Sequence, residues 1–194
     1  TIFEAYPMIP TVNAVLDIDD FLCLHFVSTP EKASYFLRHG AILTALKMHY
    51  IFPGVIEFIK LLFATDHLRV SFFSSGARER NELFVQELLT MALGAEKYAQ
   101  IKGEVTILSK DALTDVGGDF DEYFEKDLRK IMRDGESLEH CVLIDDDPSY
   151  VYEGQEQNFL HSLHTNFLKA KGYAQSFNDR GLKSIPCRFL SKDS

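Results

Sequence analysis

Short apolar runs alternate along this chain with segments whose apolar residues recur at helical spacing. Apolar runs bounded by turn-forming residues are typical of buried strands, and apolar residues three and four apart indicate amphipathic helices. We predict strands at 13–18, 68–73, 104–108, 140–144 and 158–160, and a strand-like or mixed segment at 41–51. We predict helices at 30–38, 54–64, 77–93 and 119–133. This alternation favours an α/β fold whose mostly parallel central sheet is covered on both faces.

In the two longest predicted helices, the apolar spacing also predicts which residues face the core. For 77–93 these residues are Leu83, Phe84, Leu88 and Leu89. For 119–133 they are Phe120, Tyr123, Phe124, Leu128, Ile131 and Met132. Gly94 and Gly135 follow these segments, in the position where glycine commonly ends a helix.

Two predicted strands end in acidic residues. Asp17 and Asp19 follow the first strand, and Asp145 and Asp146 follow the strand at 140–144. In open parallel sheets, ligands bind outside the carboxyl ends of the strands, so the two acidic pairs are expected to share one cleft. Carboxylates gathered in this way favour a hard divalent cation, and one of them could also act as a nucleophile.

Composition limits the class of protein. With 194 residues we expect one domain over 1–194, although a chain that starts at Thr1 is also compatible with a piece of a longer protein. The net charge of -9 argues against nonspecific nucleic-acid binding. The sequence has no run of 18 apolar residues, so we predict no membrane span, and we expect a cytoplasmic protein whose three widely spaced cysteines are reduced. The sequence gives no prediction of oligomeric state.

Four short segments follow one another in a diagnostic order. They are Asp17-Ile18-Asp19, Ser74-Ser75-Gly76, Lys110 and Asp145-Asp146. This order resembles the haloacid dehalogenase superfamily of aspartate-nucleophile phosphatases. The resemblance implies a Rossmann-like three-layer sandwich.

Further segments are similar to the capless protein phosphatases of that superfamily, which are related to RNA polymerase C-terminal-domain phosphatases. Pro53-Gly54 resembles their Pro-Gly segment before the first helix, and Ser109-Lys110-Asp111-Ala112-Leu113 resembles their Lys-Asp-Leu segment. Asp145-Asp146-Asp147-Pro148 is similar to their last motif. The resemblance implies a small flap over 21–50 in place of a full cap domain.

The resemblance also implies catalytic roles. Asp17 would attack phosphorus and form an aspartyl phosphate, and Asp19 would protonate the leaving group and then activate water. Lys110 would neutralise charge on the nucleophile and on the phosphoryl oxygens. Ser74 would bind the substrate phosphate, with Ser75 as the alternative.

A Mg²⁺ cofactor is implied by the same resemblance. Its expected ligands are Asp17 and Asp145 through their side chains, Asp146 directly or through a water molecule, and Asp19 through its backbone carbonyl. Mg²⁺ suits such a site because it retains water and needs only one or two protein carboxylates together with phosphate.

A thin flap would leave a cleft that a protein side chain can enter, so we expect a phosphorylated protein as substrate. Flap aromatics could stack on an aryl ring, which favours phosphotyrosine. These residues are Phe21, Phe26, Tyr35, Phe36 and Tyr50. The alternatives are a phosphatase of a small phosphorylated metabolite and a catalytically inactive binding module with the same fold. The general look of the chain also suggests a bacterial effector that acts in a host cytosol.

Overall fold

We describe the protein from a computed structural model over residues 10–27, 41–44, 47–117 and 123–162. Ten strands are present in these ranges: β1 (Val12–Leu16), β2 (Cys23–Val27), β3 (Ala41–Thr44), β4 (Lys47–Ile51), β5 (Leu68–Phe73), β6 (Thr106–Leu108), β7 (Thr114–Asp115), β8 (Phe124–Glu125), β9 (Cys141–Asp145) and β10 (Phe159–His161). The α-helices in the same ranges are α1 (Val55–Ala64), α2 (Arg78–Leu93) and α3 (Ala95–Ile101).

The centre of the fold is a five-stranded sheet in the order β10-β9-β1-β5-β6. Every pairing in this sheet is parallel, which confirms the predicted α/β class. β1 lies in the middle, and its Leu16 is paired with Phe72 of β5 and Ile144 of β9. The carboxyl ends of β1 and β9 therefore lie side by side, which is the arrangement expected if their two acidic pairs share one cleft.

Helices α1 and α2 cover one face of this sheet. Alternate residues of β1 point toward them, so that Ala14 and Leu16 join the same apolar cluster as Ile59 and Phe84. Gly54 precedes α1 with a φ of 85°, a left-handed conformation that favours glycine. The predicted core face of α2 is confirmed for Phe84, Leu88 and Leu89, but Leu83 is 45% exposed.

The other face of the sheet is covered by short 3-10 helices. Val15 and Phe73 pack there against Leu128 and Ile131, which belong to the 3-10 helix Leu128–Ile131. The prediction of an α-helix over 119–133 is wrong in the described part of that segment, because β8 and this 3-10 helix occupy it. Asp127 ends the extended stretch and caps the 3-10 helix through its side chain.

A small antiparallel sheet, in the order β2-β4-β3, forms the described part of the predicted flap. The mixed segment at 41–51 is resolved into β3 and β4, which pair with each other. The buried His49 lies in β4, where Nε2 is 2.7 Å from Thr44 Oγ1 and Nδ1 is 3.6 Å from Cys23 Sγ. The helix predicted at 30–38, together with Tyr35 and Phe36, lies outside the described residues.

The other predicted elements are confirmed to within two residues at each end. The pattern did not indicate α3, β2 or β7. None of the residues of α3 is buried, so it has no apolar stripe by which to recognise it. Among the residues that the structure describes, no helix has the length and apolar character needed to cross a membrane.

Candidate active site

A tight turn after β1 aims its two aspartates at one side. The Asp17 N–H continues the sheet by donating to the Ile144 carbonyl at 3.0 Å, and Asp17 itself is only 4% exposed. The chain then folds back, with the Leu22 N–H donating to the Ile18 carbonyl at 3.0 Å. Asp20 takes a positive φ of 61°, which aspartate tolerates better than most residues. Ile18 is fully buried beneath this turn.

Three of the predicted site carboxylates come together at the ends of β1 and β9. Oxygens of Asp17, Asp145 and Asp146 all lie within 4.8 Å of one another, and all three residues are buried. Asp145 Oδ1 also accepts a hydrogen bond of 2.9 Å from the Asp147 N–H, which fixes the carboxylate against its own strand end. The next residue, Asp147, is exposed and caps the 3-10 helix Pro148–Tyr150.

A buried lysine that the sequence analysis missed joins two of these carboxylates. Lys126 Nζ lies 2.6 Å from Asp17 Oδ1 and 2.6 Å from Asp145 Oδ2. The lysine side chain is 1% exposed, and its Nζ lies 4.9 Å from the centre of the Tyr150 ring. Two buried ion pairs of this geometry hold the ammonium in a single position between the strands.

Burial and charge shift the pKa of both partners. Burial raises the pKa of Asp17 most, Lys126 opposes this, and nearby Asp145 adds to it, so that the pKa is raised to about 8. Burial lowers the pKa of Lys126, but Asp17 and Asp145 outweigh it, and the net direction is upward. The lysine is therefore cationic at neutral pH and is the main factor that favours the ionised form of Asp17.

The donor set fits a Mg²⁺ ion. Three buried carboxylates face one ammonium, so the ionised cluster has an excess of negative charge that a divalent cation would neutralise. The ligand atoms are hard oxygens, which Mg²⁺ prefers. Asp17, Asp145 and Asp146 are the residues that could hold it through their side chains.

Lys126 is positioned by the segment Lys126-Asp127-Leu128. The Lys126 N–H donates to the Tyr150 carbonyl at 2.7 Å, and the Leu128 side chain is buried against the sheet. Between them, Asp127 accepts hydrogen bonds from Arg129 and from the Gln155 side chain. These contacts fix the backbone at and after Lys126, and the lysine side chain lies against the carboxylates.

The structure places Lys126 in the buried cluster and the predicted site lysine, Lys110, on the surface. Lys110 is exposed, in the 3-10 helix Lys110–Ala112, and its backbone N–H donates to the Gly76 carbonyl at 3.0 Å. A usable signal for Lys126 was present, because residues 126–128 spell the Lys-Asp-Leu segment without the insertion needed at Lys110. The helix predicted over 119–133 concealed it by placing Lys126 on an amphipathic surface.

The loop after β5 carries the predicted phosphate-binding serines. Ser74 is fully buried, and its Oγ accepts the Gly76 N–H at 3.2 Å and donates to Asp19 Oδ2 at 3.1 Å. Ser75 is half-buried. The buried Asn81 fixes this loop from below, because its Nδ2 donates to the Gly76 carbonyl and to Ser109 Oγ. Ser74, rather than Ser75, therefore contacts Asp19, the predicted general acid and base.

Two arginines near the start of α2 have different environments. Arg78 forms an exposed ion pair with Asp111, of the kind that contributes little to stability. Arg80 instead forms a two-pronged pair with Asp19, with distances of 2.8 Å from NH1 to Oδ1 and 2.5 Å from NH2 to Oδ2. This second pair lies in the site and was not predicted from the sequence.

An apolar cavity of about 450 Å³ lies between the start of α1 and the ends of β9 and β10. Its walls include Phe21, Phe52, Phe58 and Ile144, the last of which directly precedes Asp145. Phe21 meets Phe58 edge to face, with ring centres 6.2 Å apart. Of the other flap aromatics, Tyr50 is buried, and nothing is described of the Phe26 side chain.

Comparisons with known proteins agree with the fold. No family model and no curated protein matches the sequence. A solved structure of Fcp1, an essential RNA polymerase II CTD phosphatase, is 15% identical with a TM-score of 0.50, over 95% of this chain and 55% of that one. Fission yeast Fcp1, in a single-substitution variant bound to beryllium fluoride, is 15% identical with a TM-score of 0.44, over 88% and 52%.

The chain thus spans about half the length of these solved structures. At this level of identity the likeness to Fcp1 concerns the fold alone. It agrees with the predicted α/β architecture, in which a mostly parallel sheet lies between covering layers.

Proposed function

We propose that this protein is a Mg²⁺-dependent phosphatase that acts through an aspartyl-phosphate intermediate. The observation that carries the proposal is the buried cluster in which Lys126 lies between Asp17 and Asp145, with Asp146 beside them. A buried lysine that pairs two carboxylates at 2.6 Å fixes their orientation, and the added charge of a bound Mg²⁺ would favour the ionised form that a carboxylate nucleophile requires.

Each residue has a role in this proposal. Asp17 attacks phosphorus through the oxygen that Lys126 does not bind, and the bond from phosphorus to the leaving oxygen breaks. Asp19 gives its proton to that leaving oxygen and later takes one from the water that hydrolyses the intermediate. Lys126 takes the charge-neutralising role that the sequence analysis assigned to Lys110.

Phosphate binding falls to the loop after β5. Ser74 Oγ lies 3.1 Å from Asp19 and can turn its proton toward a phosphoryl oxygen instead. A Mg²⁺ ion held by Asp17, Asp145, Asp146 and the Asp19 carbonyl would supply a positive charge for the phosphoryl group. Lys110 remains a candidate only for contacts with substrate outside the buried cluster.

We propose a phosphorylated protein as substrate, with phosphotyrosine preferred. The support is the apolar cavity that includes Ile144, the residue before Asp145, since its aromatic walls suit a phenyl ring better than the short side chain of serine. A small phosphorylated metabolite is the alternative substrate class. The effector role and the cytoplasmic location stay predictions.

An inactive binding module of the same fold is the competing function. Release of phosphate from a phosphotyrosine peptide and a phosphoserine peptide distinguishes the two, with Mg²⁺ or EDTA present and an Asp17→Asn control. We expect Mg²⁺-dependent release, faster from the phosphotyrosine peptide, that the substitution abolishes. Equal release by the variant would refute the nucleophile, and no release from either peptide would leave a metabolite phosphatase or an inactive module.

A further inference from the structure

Arg80 lies inside the candidate site, although nothing in the proposed chemistry uses it. It is the third residue of α2, and its side chain is only 13% exposed. Both ends of its guanidinium fork donate to Asp19, and NH2 also lies 3.3 Å from Ser74 Oγ. The guanidinium thus touches both the predicted acid and base and the predicted phosphate-binding hydroxyl.

Gly76 makes room for this guanidinium. A Cβ at position 76 would lie 1.6 Å from Arg80 NH2 and 2.3 Å from its central carbon, so a side chain there would displace the guanidinium from this position. Glycine at position 76 therefore lets the fork lie against the backbone of the loop that was expected to hold phosphate.

The groups that a phosphate would use are engaged with one another in this state. Asp19 accepts from Arg80 at both of its oxygens and from the Ser74 hydroxyl at Oδ2. A carboxylate held in this way has no oxygen directed at a leaving group. Release of Asp19 would free two guanidinium N–H groups and one hydroxyl, and three such donors on one side match the oxygens of a phosphoryl group.

We propose that Arg80 is a phosphate-binding residue that Asp19 holds in the absence of substrate. The substrate phosphate takes the guanidinium fork and the Ser74 hydroxyl, and Asp19, which thereby loses its cationic partner, takes up a proton from solvent and faces the leaving oxygen. Occupation of the phosphate site and freeing of the acid and base are then one event. This inference rests on the proposed function, since it gives Arg80 and Asp19 linked parts in the same reaction.

Binding of inorganic phosphate, measured by calorimetry with Mg²⁺ present, tests the inference without turnover. We compare the unaltered protein with Arg80→Gln, Arg80→Lys and the matched surface control Arg78→Gln, each checked for folding by circular dichroism. Loss of a charged hydrogen-bonding group predicts a Kd about 10- to 100-fold weaker for Arg80→Gln. Arg80→Lys should lose less, because it keeps the charge, and Arg78→Gln should stay within twofold.

A double-mutant cycle with Asp19→Asn separates direct phosphate binding from mere orientation of Asp19. If phosphate binding breaks the ion pair of Arg80 with Asp19, the loss of that pair offsets part of the binding free energy that the contact between Arg80 and phosphate provides. Arg80→Gln should then cost more phosphate affinity in the Asp19→Asn background than in the unaltered protein. If Arg80 instead acts only by orienting Asp19, Arg80→Gln should reduce phosphate affinity less in the Asp19→Asn background than in the unaltered protein.

The outcomes separate this inference from the proposed function. A phosphate Kd that Arg80→Gln leaves within twofold, or a cost that shrinks beside Asp19→Asn, overturns the role of Arg80. No measurable phosphate binding by the unaltered protein overturns it as well. Arg80-dependent phosphate binding in a protein that releases no phosphate from either peptide would support the anion site and refute only the proposed phosphatase activity.

Discussion

Replacement of Lys126 by methionine removes the ammonium from the buried cluster and keeps an unbranched side chain that reaches as far as Cε. Lys126 is 1% exposed and makes two ion pairs of 2.6 Å, with Asp17 and Asp145. Removal of one partner from a buried pair costs about 3–5 kcal/mol, because the other charge is left uncompensated. We therefore expect Lys126→Met to lower the free energy of unfolding by roughly that amount in EDTA.

The cost of protonating a carboxylate gives a second value for the stability lost in Lys126→Met, and its magnitude is similar. Asp17, with a pKa of about 8, already holds a proton at pH 7, so Asp145 carries the charge that is left unpaired. The variant can neutralise Asp145 by taking up a proton, and at pH 7 this costs about 4 kcal/mol relative to an aspartate of the unfolded chain. Mg²⁺ offers a different compensation for the same charge. The loss of stability should therefore be smaller in Mg²⁺ than in EDTA, whereas phosphate release should be abolished in both.

Urea unfolding at pH 7, with Mg²⁺ or with EDTA, measures the stability, and Lys110→Met is the matched control. Lys110 is exposed, so its replacement should change the free energy of unfolding by less than about 0.5 kcal/mol. The reasoning is refuted if Lys126→Met costs less than about 1 kcal/mol in EDTA, or if Lys110→Met costs as much.

Three other predictions concern the same site. In EDTA, the pKa of Asp17 is about 8 in the folded state and about 3.9 in the unfolded state, so the free energy of unfolding should fall as the pH rises from about 4 to 8. Urea titrations at several pH values should show a flatter dependence for Asp17→Asn, and equal pH dependences for the two proteins would contradict the raised pKa of Asp17. Asp19→Asn should slow phosphate release by about 10²- to 10⁴-fold, and an unchanged rate would remove it from the mechanism. Phe21→Ala should raise KM about 2- to 10-fold for a phosphotyrosine peptide and leave it unchanged for phosphoserine, and equal effects on both would place the ring elsewhere.

The sheet could be read from the sequence because its signals are local. β1, β5 and β9 are short apolar runs that end in polar residues, and their parallel pairing puts those ends at one edge. The convergence of Asp17 and Asp145 follows from that topology alone. Local apolar runs were therefore sufficient to predict these strands and the acidic residues at their ends.

The lysine and the arginine of the site depend on contacts that the local pattern does not record. The apolar spacing around Lys126 satisfies a helix as well as it satisfies β8 followed by a 3-10 helix, and only the capping by Asp127 and the burial of Leu128 decide between them. The ion pair of Arg80 with Asp19 joins residues 61 positions apart. From the sequence, Arg80 is indistinguishable from Arg78, which forms a surface pair.

The central claim is that Asp17 becomes phosphorylated during turnover. The protein and its Asp19→Asn variant can be mixed with a radioactively labelled phosphotyrosine peptide in Mg²⁺, quenched in acid and digested. The account predicts label on the fragment that contains Asp17, released by hydroxylamine as expected for an acyl phosphate, and no label in Asp17→Asn. Phosphate release with no such label in either protein, or label that persists in Asp17→Asn, would contradict it.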